Sequence, residues 1–329
     1  MKAVVTGGCG FVGLHIAAEL SREDPGNSVL LFDVARPQFP LFPNVKYVYG
    51  DIRNPAMLDS AVAGADEVYD CAGLLGTSEL IGMASMAAET NIVGCVNVLD
   101  ACRRENKRRQ AHEFPHLEIR VFHPTKPSFR TGPDKEWENV YTITKFTAER
   151  FCQMYKEHFG LSVAVTRWLN CSGDFQHLFP VRKAFPLMII YALNNINIEI
   201  FGDGEQTVDI IDVRDIAKIS LLACRKLGHS PEIIEVGSGK KVTVLQLAQD
   251  IIAATGSKSR IVFLPMRPGE TKNTNIVADT SNLERLTGYK FQYTYERTLA
   301  DAVTWYSRLT KEEVRNALQY YGKEVVEEE

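Results

Sequence analysis

An apolar strand that runs into three glycines and out into an amphipathic helix restricts the fold of this chain more than any other feature. Residues 1–13 read MKAVVTGGCGFVG, with Gly7, Gly10 and Gly13 at the turn and Ile16, Ala17 and Leu20 continuing one helical face. Glycine lets the backbone turn tightly and leaves N–H groups open at the positive end of a helix, where a pyrophosphate can sit. Asp33 ends the next apolar run about 20 residues on, where a carboxylate accepts from the ribose 2′-OH of NAD and repels the 2′-phosphate of NADP. The pattern predicts a dinucleotide site with NAD favoured, and Arg36 is the neighbour that pulls toward NADP.

Short β-rich runs then alternate with helical patterns. Lys2–Thr6, Ser28–Asp33, Val45–Tyr49, 67–71, 118–123 and 162–167 read as strands, each followed by helical periodicity or by a loop leading to it. Such βαβ units with right-handed crossovers predict a doubly wound parallel sheet, an α/β Rossmann architecture. Past Asn170 the alternation weakens, and apolar stretches at 185–193, 198–201 and 233–236 are separated by Gly- and Pro-bearing turns. The expected division is a dinucleotide-binding domain over 1–170 and a smaller α/β substrate lobe over 171–329, with the chain crossing back to the first domain.

Composition removes several functions. A formal net charge of −4 gives polyanions no general attraction, so nucleic acid is not an expected partner. The basic run 103–109 reads as the solvated end of a helix. Seven scattered cysteines without a C-x-x-C pair suggest free thiols in a reducing cytoplasm, and no metal site is expected. No apolar run approaches the roughly 20 residues of a membrane span. The closing acids Glu327, Glu328 and Glu329 read as a solvated tail.

The spacing G-x-x-G-x-x-G resembles the extended short-chain dehydrogenase superfamily and its NAD-dependent epimerase/dehydratase branch. The resemblance extends through most of the chain. It implies that Gly7, Gly10, Phe11, Val12 and Gly13 wrap the cofactor. It also implies that Asp51 and Ile52 of GDIRN flank the adenine, and that Ala72 and Gly73 of CAG lie beneath the cofactor. ETNIVGCVNVLDACR at 89–103 is similar to the family's long helix, with Asn91 at its characteristic asparagine.

In YTITK, Tyr141 and Lys145 fall on one face if the segment is helical. An adjacent ammonium favours the phenolate, so the expectation is a lowered tyrosine pKa and a phenol that exchanges a proton with a sugar hydroxyl. The resemblance makes this pair catalytic, gives Lys145 the nicotinamide ribose as well, and puts Thr125 of VFHPTKPSF, four residues before Phe129, at the family's third position. A turn-capping threonine is the alternative. His123, a lone histidine at a strand end, reads as structural.

The same loop bears on the reaction. Family 4,6-dehydratases follow this threonine with Asp and Glu, and decarboxylating relatives put a Glu two places on; here stand Lys126 and Pro127. The remaining equipment implies 4-epimerisation of a nucleotide-diphosphate sugar, with a UDP-sugar favoured. A dehydratase, decarboxylase or reductase with a rearranged acid–base set, or a non-catalytic NAD-binding protein, are the alternatives.

For the substrate, the resemblance implies Asn170 of RWLNCSG at the diphosphate, Arg267 of RPGE at a phosphate and Glu270 at the nucleotide ribose. The family's phosphate-binding arginine falls at Val208, so Arg182, Lys183 or Arg267 would have to compensate. Thr77 of GLLGTSEL is the candidate for touching the sugar, unless it or Ser78 only caps a helix. Helices around 83–102 and 140–157 match those that pair across the family's dimer axis, which implies a homodimer.

Overall fold

The computed structural model describes residues 1–38, 41–112, 118–126, 139–270, 275 and 277–324. Pro127 and Phe129 of the threonine loop and the acidic end at 327–329 lie outside them.

Seven parallel strands form the main sheet. β1 (Lys2–Thr6) lies between β2 (Ser28–Asp33) and β4 (Glu67–Asp70); β3 (Val45–Tyr49) closes one edge. On the other side β4 is followed by β5 (Arg120–Thr125), β6 (Ser162–Trp168) and the strand Ile234–Val236. The order reverses between β1 and β4, and such a switch point opens a crevice at the carboxyl ends of the strands. The sheet is buried on both faces, so Val4, Val5 and Val68 can all be apolar without alternation.

β5 lies two residues later than the expected 118–123. Its pairing with β4 stops at Phe122, whereas pairing with β6 continues to Thr125. Pro124, which has no N–H to give, therefore stands where only one neighbour remains, the position a strand tolerates. Thr125 is consequently the last residue of the strand and not part of a loop beyond it.

Helices cover both faces. α1 (Phe11–Glu23) buries Gly13, Ile16, Ala17 and Leu20 and packs against α7 (Val213–Lys226). α2 (Pro55–Val62) starts on an Asn54 cap and packs on α4 (Cys95–Ala111). α3 (Ala84–Ala88) joins α4 through a π-helical segment, Glu89–Gly94. α5 (Val140–Phe159) opens on Asn139, whose side chain accepts from Thr142 N, and ends at Gly160 with φ +66°. The basic run at 103–109 is less solvated than expected: Arg109 is 8% exposed, pairs with Glu105 and donates to the Ala65 carbonyl at 2.6 Å. A helix pressed on the sheet leaves no room for a wholly free basic end.

After Asn170 the chain builds a second core and returns once to the sheet through Ile234–Val236. The apolar stretch at 185–193 is the helix α6 (Ala184–Leu193), nearly all of it buried. Ile198–Phe201 pairs in parallel with Ile261–Leu264, while Asn170–Ser172 pairs with Ile210–Asp212. This lobe stands over the switch point.

Candidate active site

A cavity of about 870 Å³ runs from the first glycine turn to the second core, and every residue singled out above as catalytic, cofactor-binding or substrate-binding lines it. At one end it is made of backbone. Gly7 has φ +62°, and a Cβ there would come within 2.7 Å of Ala72 Cα, while one on Gly13 would land on the Gly7 carbonyl oxygen. The N-terminus of α1 carries no side-chain cap at Gly10 and no acid in its first turn, which leaves its N–H groups for an anion. These are the features a pyrophosphate requires, so the residues fit the dinucleotide.

Asp33 closes β2 with its carboxylate already accepting from Cys9 N and Ala35 N, both at 2.9 Å, which fixes its orientation at the cavity wall. Arg36 lines the same wall. Asp51 is held by Arg53 at 2.6 Å, which keeps its carboxyl below the usual range. Ile52 is buried against Gly94, where a side chain on the helix would collide with it.

Tyr141 sits in the first turn of α5 and Lys145 one turn on. Burial pushes the Tyr141 phenol up to about 12, the reverse of the expected lowering. Withdrawing a phenolate from water is the cause, and no hydrogen bond between Tyr141 and Lys145 is found among the described residues. Burial lowers the Lys145 ammonium, opposed chiefly by Asp70. Thr125 is 3% exposed and donates its hydroxyl to the Lys145 carbonyl at 3.1 Å. Its proton is therefore committed to the helix backbone, and only its lone pairs are open to a ligand. Lys126, next in the chain, places Nζ 5.4 Å from the centre of the Tyr141 ring.

Toward the second core the walls become charged side chains tied to one another. Arg182 donates to Glu199 at 2.7 Å and lies over Phe201 and Tyr321. Arg267 is paired with Glu270 and reaches Glu79 at 3.3 Å. The two residues expected to face phosphate and ribose separately are thus joined in this structure, because opposite charges three apart in a tight turn meet each other first. Asn170 and Val208 line the cavity beside them. Thr77 caps nothing, since the short helix after it has no side-chain cap, and Ser78 donates instead to the Pro268 carbonyl at 2.5 Å.

Two further residues position this part of the cavity, and Asn139 is the one that no motif singled out. Asn139 caps α5 and so sets the turn that carries Tyr141; an asparagine two places before the tyrosine is a helix-start signal in its own right. Asn91 grips Leu74 from both sides, accepting from its N–H at 2.7 Å and donating to its carbonyl at 3.0 Å, and also reaches Thr144 Oγ1 at 3.0 Å. It ties the segment after β4 to the helix of Tyr141. His123 stays in the core, with Nδ1 2.9 Å from Asp70. Among the described residues, His123 with Cys95 and Cys152 is the one histidine–cysteine–carboxylate group tight enough for an ion, yet none of the three reaches the cavity. No helix of the described residues is long and apolar enough to cross a membrane.

The family profile described as NAD dependent epimerase/dehydratase family matches residues 3–237. A dTDP-glucose 4,6-dehydratase of Actinoplanes sp. is 26% identical over 93% of this chain and 98% of its own length. An uncharacterized UDP-glucose epimerase, YtcB, of Bacillus subtilis is 27% identical over 94% and 99%. Among solved structures, the UDP-glucose 4-epimerase of Thermotoga maritima with UDP-glucose superposes with a TM-score of 0.82 at 21% identity, covering 94% of this chain and 99% of that one.

Proposed function

The chain belongs to the NAD-dependent epimerase/dehydratase family, an enzymatic family that modifies nucleotide sugars, and on that premise we propose that it is a 4-epimerase of nucleotide-diphosphate sugars, with uridine the favoured base. One observation carries the choice of reaction: no carboxylate follows Thr125. Elimination of water across C5 and C6 needs an acid and a base beside the reacting carbon, and here the chain continues with Lys126 and Pro127. The carboxylates at that end, Glu79 and Glu270, are paired with Arg267.

NAD is the cofactor; when bound it supplies the hydride acceptor and donor for C4 and a positive charge that favours the Tyr141 phenolate. Gly7, Gly10, Phe11, Val12 and Gly13 hold the pyrophosphate end, Asp33 the ribose, Asp51 and Ile52 the adenine, and Ala72 and Gly73 the floor. Tyr141 removes the O4 proton and later returns it. Lys145 keeps that end of the cavity cationic and holds the second ribose, while Thr125 accepts from the sugar. Asn170 meets the diphosphate, Thr77 touches the sugar, and Arg182, Arg267 and Glu270 must exchange partners to engage the nucleotide. The 4-keto sugar turns about its diphosphate linkage, so C4 is reduced on its other face with no net redox change.

A homodimer is part of the same proposal. Met83, Met86, Val93 and Ile143 are 40–50% exposed on the segments assigned to the dimer axis, an apolar surface suited to an isologous bundle. Sedimentation at micromolar concentration checks it, and a monomer would remove it. The reaction is tested by incubating the protein with a panel of nucleotide sugars without added reductant and following C4 by NMR. An equilibrium mixture of two C4 epimers is expected; a 6-deoxy-4-keto product would point to the dehydratase instead.

A further inference from the structure

The end of the described chain closes on the part of the cavity that faces the second core. Helix Lys311–Tyr320 stops beside the segment that supplies Val181, Arg182 and Lys183 to the cavity wall. Tyr320 stacks its ring on Phe179 at 5.3 Å, and Tyr321 donates its hydroxyl to the Leu178 carbonyl at 2.8 Å. Two residues on, the Lys323 ammonium donates to Glu199, the carboxylate that also accepts from Arg182 at 2.7 Å. Glu199 thus carries one charge and serves two cations, Lys323 through Oε1 and Arg182 through Oε2. Its side chain is 15% exposed, so a carboxylate left alone there would be costly; one that keeps a cation is far less so. Arg182 itself lines the cavity and lies over the rings of Phe201 and Tyr321, both at 5.0 Å.

We propose that Lys323 is a positioning residue for the nucleotide diphosphate: it keeps Glu199 neutralised when Arg182 turns from that carboxylate to the ligand. The inference rests on the reading that Arg182 engages the nucleotide, and it says what lets Arg182 do so. In the free protein Arg182 is held on Glu199 and oriented by the two rings. A diphosphate offers it more negative charge than one carboxylate, and oxygens that a planar guanidinium can meet in pairs. The exchange costs little while Lys323 stays on Oε1, because what remains behind is an ion pair and not a bare charge. Without Lys323 the same move strands a largely buried carboxylate, and Arg182 stays where it is. Lys323 therefore acts on the substrate site although it does not line the cavity.

Binding by the full chain tests this without turnover. The NAD-loaded protein is titrated by calorimetry with UDP and, as the alternative base, with dTDP. Lys323→Met should weaken the better-bound diphosphate about tenfold, the scale of one charge-assisted contact. Lys323→Arg, which keeps a cation on Glu199, should retain most of the affinity. Adding Glu199→Gln to Lys323→Met should restore binding, because a neutral amide leaves no charge to strand; damaged packing would not be repaired by a second substitution. Lys323→Gln, which keeps polarity but not charge, gives the same readings where methionine is not tolerated. Unchanged affinity on loss of the Lys323 charge overturns the proposal, and so does a loss that Glu199→Gln fails to reverse. Arg182→Met binding as tightly as the parent, or a parent that binds neither diphosphate, overturns it as well. The epimerase assignment fails by a different sign, the absence of C4 inversion in nucleotide sugars that the protein binds.

Discussion

The two ends of the cavity are built from different materials. The cofactor end is backbone: a turn at Gly7, a close approach at Gly13 and an uncapped helix start, all within the first 13 residues. The end toward the second core is side chains brought from segments distant in sequence, with its arginines locked to Glu199, Glu79 and Glu270. A backbone cradle is fixed once the chain turns; a side-chain wall is set by which charges find each other. The first tolerates no added atom, and the second can be rewired by one substitution.

Four substitutions sharpen that contrast. Tyr141→Phe removes one hydroxyl and keeps the ring, so turnover should fall by roughly 10²–10⁴-fold with nucleotide-sugar affinity nearly unchanged. Steady-state kinetics paired with calorimetry separates the two. Gly13→Val drives a side chain into the Gly7 carbonyl, and NAD should be lost together with about 1–3 kcal/mol of stability, read by thermal melting with and without NAD. If the variant bound NAD normally, the cofactor end would not be the rigid cradle described. Asp33→Ala should weaken NAD and relax discrimination against NADP by about tenfold, the size of one lost charge-assisted bond. Unchanged titrations with both dinucleotides would remove Asp33 from the ribose. Thr125→Val should cost the least, about 1 kcal/mol in stability, because its proton goes to the Lys145 carbonyl in this structure. A loss of turnover as large as that of Tyr141→Phe would show that the hydroxyl turns to the sugar instead.

How far the sequence could be read follows the same division. Glycine spacing and strand alternation are local, so the sheet and the glycine turn were legible from them, whereas Tyr141, Lys145 and Thr125 were picked out by the family resemblance, and all three line the cavity. The end of β5 was not, because whether Pro124 is tolerated depends on where β4 stops. Nor was the direction of the Tyr141 shift: a spacing of four gives the neighbour but not the burial that raises the phenol. The pairing of Arg267 with Glu270 was hidden for a related reason. Both were expected to face ligand, and only the turn at Gly269 brings them together. Asn91 could be noticed as a family asparagine, but its grip on Leu74 and Thr144 depends on three segments meeting.

The central claim is that hydride leaves C4 and returns to C4. The direct measurement is a nucleotide sugar deuterated at C4, offered to the enzyme in ordinary water and followed by ²H NMR. Epimerisation predicts both epimers with the deuterium still at C4, since it travels to the cofactor and back to the same carbon. A 4,6-elimination would deliver it to C6 of a 4-keto-6-deoxy product, and deuterium found there would contradict the account.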